Sequence, residues 1–119
     1  MLSDFSFADD TIGYIIEGKM NKAVVMELKT LILEKMKEHD KINLYLEDAG
    51  IEDFSLDSVF IGTLFPHKHA RRFNKVAMVT DRKWIHLLSA VNRKLLSGNF
   101  RNFVTERRMD AIAWITETH

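Results

Sequence analysis

The chain has 119 residues, with 17 basic and 17 acidic side chains, five His and no Cys. That length suits one domain, 1–119, and the 46% hydrophobic share suits a packed core. The lack of Cys excludes a thiol nucleophile, a Cys-ligated zinc site and an iron–sulfur cluster, and the sequence shows no transmembrane segment and no signal peptide, which predicts a cytoplasmic protein.

The expected elements run as follows. Phe5 and Phe7 flank Ser6 in a short first strand. Asp9-Asp10 is a turn, and Thr11 to Glu17, rich in β-branched and aromatic residues, is a second strand that Gly18 ends. Residues 21–39 form a helix with Val24, Val25, Leu28, Leu31, Ile32 and Met36 on one face. Ile42 to Leu46 alternates apolar with Asn43 and Tyr45 as a third strand, and Gly50 punctuates the loop after it.

A second helix begins at Ser55, whose hydroxyl suits an N-cap; Pro66 kinks it or ends its first segment, and helical structure resumes up to about Arg72. Val76 to Val79 is a central strand. Asp81 caps a third helix carrying Trp84, Leu88, Val91 and Leu95, which stops at Gly98. Phe100 and Phe103-Val104 mark a weaker strand, and Thr105 opens a last helix to about Glu117. The order β-β-α-β-α-β-α-β-α predicts an α/β fold: a mixed, mostly parallel sheet of about five strands with four helices.

Charge is unevenly spread. Residues 1–60 carry 13 acidic and 6 basic side chains, and residues 61–119 carry 4 acidic and 11 basic. In an α/β domain the two halves interleave, so these charges are expected to pair across the fold. A pI near 7.0 argues against a nucleic-acid partner.

Several residues can carry chemistry. Ser55 and Ser58 are candidate phosphoacceptors, since a phosphate at a helix N-terminus meets free N–H groups, or are simple N-caps. Lys68, Arg71 and Arg72, with Lys83 and Trp84, form a candidate anion or partner surface; the ordinary alternative is a solvated helix end. Phe60, Leu64, Phe65, Leu88 and Val91 line a candidate apolar pocket or pack as core. His67 and His69 form a His-x-His pair without a third ligand, so no metal and no cofactor is expected. Arg107 and Arg108 sit in the first turn of the last helix, where positive charge is unfavourable, and call for an acidic neighbour such as Glu106, Asp110 or a partner. Glu47-Asp48 and Asp81 should gather at the carboxyl ends of the third and fourth strands, where open α/β sheets place ligands. There is no Gly-rich phosphate loop, nucleophile elbow or dinucleotide fingerprint, and hence no positive signal for an enzyme.

Gly18-Lys19-Met20-Asn21 before the first helix, the strand Ile42 to Leu46, the run Arg72-Phe73-Asn74-Lys75-Val76-Ala77-Met78-Val79-Thr80-Asp81-Arg82-Lys83-Trp84 and the late Ala111-Ile112-Ala113-Trp114-Ile115 together resemble the SpoIIAA-like family of small bacterial proteins, grouped with STAS and Sec14-like domains. The resemblance implies a non-enzymatic binding or regulatory domain acting through protein contacts, and homodimers. It also implies an alternative, a carrier of a lipid or small anionic ligand in a Sec14-like pocket. In STAS-type antagonists a Ser at the start of the helix after the third strand is phosphorylated; the matching stretch here is Asp53-Phe54-Ser55-Leu56-Asp57-Ser58, in which no Gly follows the Ser.

Overall fold

The computed structural model describes residues 2–19, 22–53, 72–81 and 100–117. Five strands form one sheet: β1 (Leu2–Ala8), β2 (Thr11–Lys19), β3 (Ile42–Asp53), β4 (Phe73–Val79) and β5 (Phe100–Phe103). Two α-helices, α1 (Lys22–Glu38) and α2 (Arg108–Thr116), lie in the described residues. The helices expected from Ser55 and from Asp81 fall on residues outside them.

The strands stand side by side in chain order, β1-β2-β3-β4-β5. The Asp9-Asp10 turn folds β1 antiparallel onto β2, and every later pair is parallel. The sheet is therefore mixed and mostly parallel, as the alternation of strands and helices implies.

Strand alternation divides the core in two. Ile12, Tyr14 and Ile16 of β2, Ile42, Leu44 and Leu46 of β3, and Val76 and Met78 of β4 form one face, with Phe73 at its start. That face is covered by Val25, Leu28, Ile32 and Met36 of α1. Tyr45, Ala77 and Val79 form the opposite face, under Ala111 and Ile115 of α2. The small Ala77 and Ala111 allow close approach, and Phe103, Ile112 and Trp114 pack around them.

Two glycines behave differently from their sequence reading. Gly18 does not end its strand: it takes φ 80° within β2, where the register with β3 shifts, and pairing continues as Gly18 with Ile51 and Lys19 with Asp53. Gly50, at φ 109°, likewise lies inside β3, which runs seven residues beyond Leu46 to Asp53. Positive φ costs glycine little, so both positions absorb a bulge instead of breaking the strand.

The end of α1 is held by a residue distant in sequence. Arg72 donates from Nε to the Asp40 carbonyl at 2.6 Å, and from Nη2 to the carbonyls of Met36 at 2.5 Å and His39 at 3.0 Å. A cation thus meets the carbonyls that a helix leaves unpaired at its negative end. Arg72 itself is helical, in the 3₁₀ form, and the residues of the second helix expected before it lie outside the described ones; its side chain serves the end of the first helix. The last helix also starts later than expected: Thr105–Arg107 is a 3₁₀ turn and the α-helix begins at Arg108.

A polar ladder ties the same, amino end of the parallel strands. Asn43 donates to Thr11 Oγ1 at 3.0 Å, Thr11 to Asp10 Oδ1 at 3.1 Å, and Asn74 to Asn43 Oδ1 at 2.9 Å. Each buried polar side chain here has a partner, as burial demands.

Candidate functional site

The carboxyl end of β3 and β4 gathers the acidic residues expected there, on both faces of the sheet. On the α2 face, Tyr45 and Glu47 sit two residues apart on one strand and so point the same way. The fully buried Tyr45 hydroxyl donates to Glu47 Oε1 at 2.5 Å. Glu47, itself 5% exposed, reaches Arg108 Nη1 with Oε2 at 3.6 Å. Burial pushes the Tyr45 phenol well above its ordinary pKa; the hydrogen bond to Glu47 and the nearby carboxylate charge act in the same sense, and Arg108 partly opposes them. Tyr45 therefore stays protonated, a donor and not a base.

On the other face, Thr80, fully buried, donates from Oγ1 to Asp48 Oδ2 at 2.8 Å, and the Gly50 N–H donates to Asp48 Oδ1 at 3.1 Å. Asp81 Oδ1 accepts the Thr105 N–H at 2.8 Å, while the Thr80 N–H donates to the Phe103 carbonyl at 2.9 Å. Asp81 thus secures the 3₁₀ turn that leads into α2. The residues of the helix that Asp81 is expected to cap lie outside the described ones.

Arg107 and Arg108 have the acidic neighbours their position requires. Arg107 pairs with Asp110 at 3.2 Å, and Arg108 with Glu47. The second pair joins the acidic first half of the chain to the basic second half. Sequence reasoning named Glu47 as a candidate carboxylate but not as the partner of Arg108, because 61 residues separate them and no local spacing relates them.

A further cluster went unread in the sequence. Arg101 places its guanidinium carbon 4.8 Å from the centre of the Trp114 ring, and Lys75 Nζ lies 5.6 Å from the same ring. Lys75 also donates to the carbonyls of Trp114 at 3.0 Å and Glu117 at 2.9 Å, closing the end of α2. Phe103 packs against Trp114 with ring centres 6.1 Å apart. Only the topology brings β4, β5 and α2 together here.

Of the expected site residues, Arg72 caps α1. Ser55, Ser58, Lys68, Arg71, Lys83 and Trp84, the pocket residues Phe60, Leu64, Phe65, Leu88 and Val91, and His67 and His69 all lie outside the described residues. Among the described residues no three His, Asp or Glu side chains gather as a metal site, and no helix is long and apolar enough to cross a membrane.

The family model described as SpoIIAA-like matches residues 11–116. A crystal structure of an uncharacterised protein from Shewanella loihica, described as having a SpoIIAA-like fold, is similar to this chain with a TM-score of 0.64 and 18% identity. The match covers 97% of this chain and 92% of that one. At that identity the likeness concerns the fold. No curated protein matches the chain.

Proposed function

This chain belongs to the SpoIIAA-like family, and we propose that it is a cytosolic, non-enzymatic binding or regulatory domain that acts through protein contacts, as a homodimer. One observation carries the reading. Three carboxylates at the carboxyl end of the sheet each hold one part of the fold to another: Glu47 joins β3 to α2, Asp48 joins β3 to Thr80, and Asp81 joins the end of β4 to the turn before α2. Such ties suit a rigid frame that presents its surface, because groups committed to structural partners keep their geometry whatever binds outside.

Native mass spectrometry of the protein purified from cells tests this. The expected species are the 13.9 kDa chain and its dimer, free of adducts. A retained small molecule that leaves on denaturation would overturn the reading in favour of a lipid or anion carrier. Light scattering that finds only a 13.9 kDa species at high concentration would remove the dimer.

A further inference from the structure

β5 is an edge strand, and it pairs on one side, with β4. The Thr80 N–H donates to the Phe103 carbonyl, so the main-chain groups of Phe103 turn toward β4. These groups alternate in direction along a strand, which sends those of Arg101 inward as well and those of Phe100 and Asn102 outward. Among the described residues nothing pairs with that outer side.

The side chains beside this edge select what is added. Arg101 is exposed, and it makes no ion pair among the described residues. Stacking on Trp114 holds its guanidinium in place, while Lys75 adds a second cation at the same ring. Arg and Trp are also the residue types that dominate binding energy at protein interfaces. Pairing β5 with β5 of a second copy would set Arg101 close to Arg101, and like charges facing each other across strands repel. An acidic strand removes that repulsion and supplies a counter-charge that Arg101 does not have among the described residues.

We propose that β5 is a docking edge that receives, from a partner protein, an extended acidic segment carrying Asp or Glu beside Arg101. This deepens, and rests on, the reading of the chain as a domain that works through protein contacts. Main-chain hydrogen bonds from Phe100 and Asn102 give the segment its register, and Arg101 gives the preference for acid. Four residues of edge offer few main-chain bonds, so the contact is salt-sensitive and depends on that charge.

The test titrates the ¹⁵N-labelled full chain with two blocked nine-residue peptides, one alternating Val and Thr with Glu and the other carrying Lys in place of Glu. The Glu peptide is expected to shift the amides of Phe100 and Asn102 and the indole N–H of Trp114, saturably. The Lys peptide should bind roughly tenfold more weakly or worse. Arg101→Glu should reverse the preference and Arg101→Gln should abolish it, with melting temperature confirming that each variant folds.

The proposal is overturned by equal affinity for both peptides, by shifts that avoid β5, by no shift at millimolar peptide, or by binding indifferent to the Arg101 changes. It is also overturned if phosphatidylglycerol vesicles, and not the Glu peptide, perturb these signals. A chain free of adducts in native mass spectrometry that ignores the Glu peptide loses the β5 proposal alone. A retained small molecule instead removes the protein-contact reading beneath it.

Discussion

Replacing Tyr45 with Phe removes one oxygen from the centre of the fold. The ring keeps its place, packed with Ala77, Val79, Ala111 and Ile115, so apolar burial changes little. What is lost is the 2.5 Å bond to Glu47 Oε1, which leaves a carboxylate only 5% exposed, 3.6 Å from Arg108 Nη1. A hydrogen bond to a charged group contributes about 1.5–3 kcal/mol, and the orphaned acceptor keeps its desolvation cost. Urea unfolding of Tyr45→Phe at pH 7 should therefore show a loss of about 1.5–3 kcal/mol with an unchanged m-value. Glu47→Leu should also destabilise, by removing the acceptor of the Tyr45 hydroxyl and freeing Arg108, whose half-exposed side chain can return to water. The double variant strands neither group, so its loss should fall short of the sum of the single losses by about 1 kcal/mol or more. Additive losses, or a Tyr45→Phe chain within about 0.5 kcal/mol of the parent, would refute the claim that this buried bond stabilises the Glu47 carboxylate in the fold.

The remaining predictions concern pH, a helix end and the core. The Tyr45 phenol has a raised pKa in the folded chain, so its contribution is fully present below the unfolded tyrosine pKa of about 10 and declines as pH rises from there toward the folded value. Urea midpoints measured from pH 8 to 11 should fall more steeply for the parent than for Tyr45→Phe; parallel profiles would contradict the assignment. Arg72→Met should cost about 1–3 kcal/mol and speed hydrogen exchange in the last turn of α1, because three carbonyl partners are lost together. Ile115→Ala, at a fully buried position under α2, should cost about 2–5 kcal/mol in the same unfolding assay.

How much of this was legible in the sequence depends on the distance over which each signal acts. The two faces of β3 were plain, because Leu44 and Leu46 alternate with Tyr45 within one strand and the period itself assigns the sides. The α1 stripe was plain for the same local reason. Gly18 and Gly50 misled, since a glycine at positive φ looks identical in sequence whether it ends a strand or bends one; only pairing across β2 and β3 decides. Thr105 resembled a helix start by composition, yet the carboxylate that fixes the turn there comes from Asp81, 24 residues earlier.

The candidate site follows the same rule at longer range. Arg107 and Arg108 announced a need for acid, because a cation at a helix start is unfavourable without one, and Asp110 was findable at three residues' distance. Glu47 was not, although its pairing with Tyr45 two positions away could have been read from strand periodicity alone. Trp114, Lys75 and Arg101 gave no sign of meeting, since each sits on its own element and the cluster depends on β4, β5 and α2 lying side by side. Local periodicity therefore reveals which residues build the frame. The groups that could distinguish one partner from another come together only through the parallel order of the strands. That is why charge reversal at Arg101, on an exposed edge, probes recognition more directly than any change in the core: it alters what the edge attracts while leaving the buried frame intact.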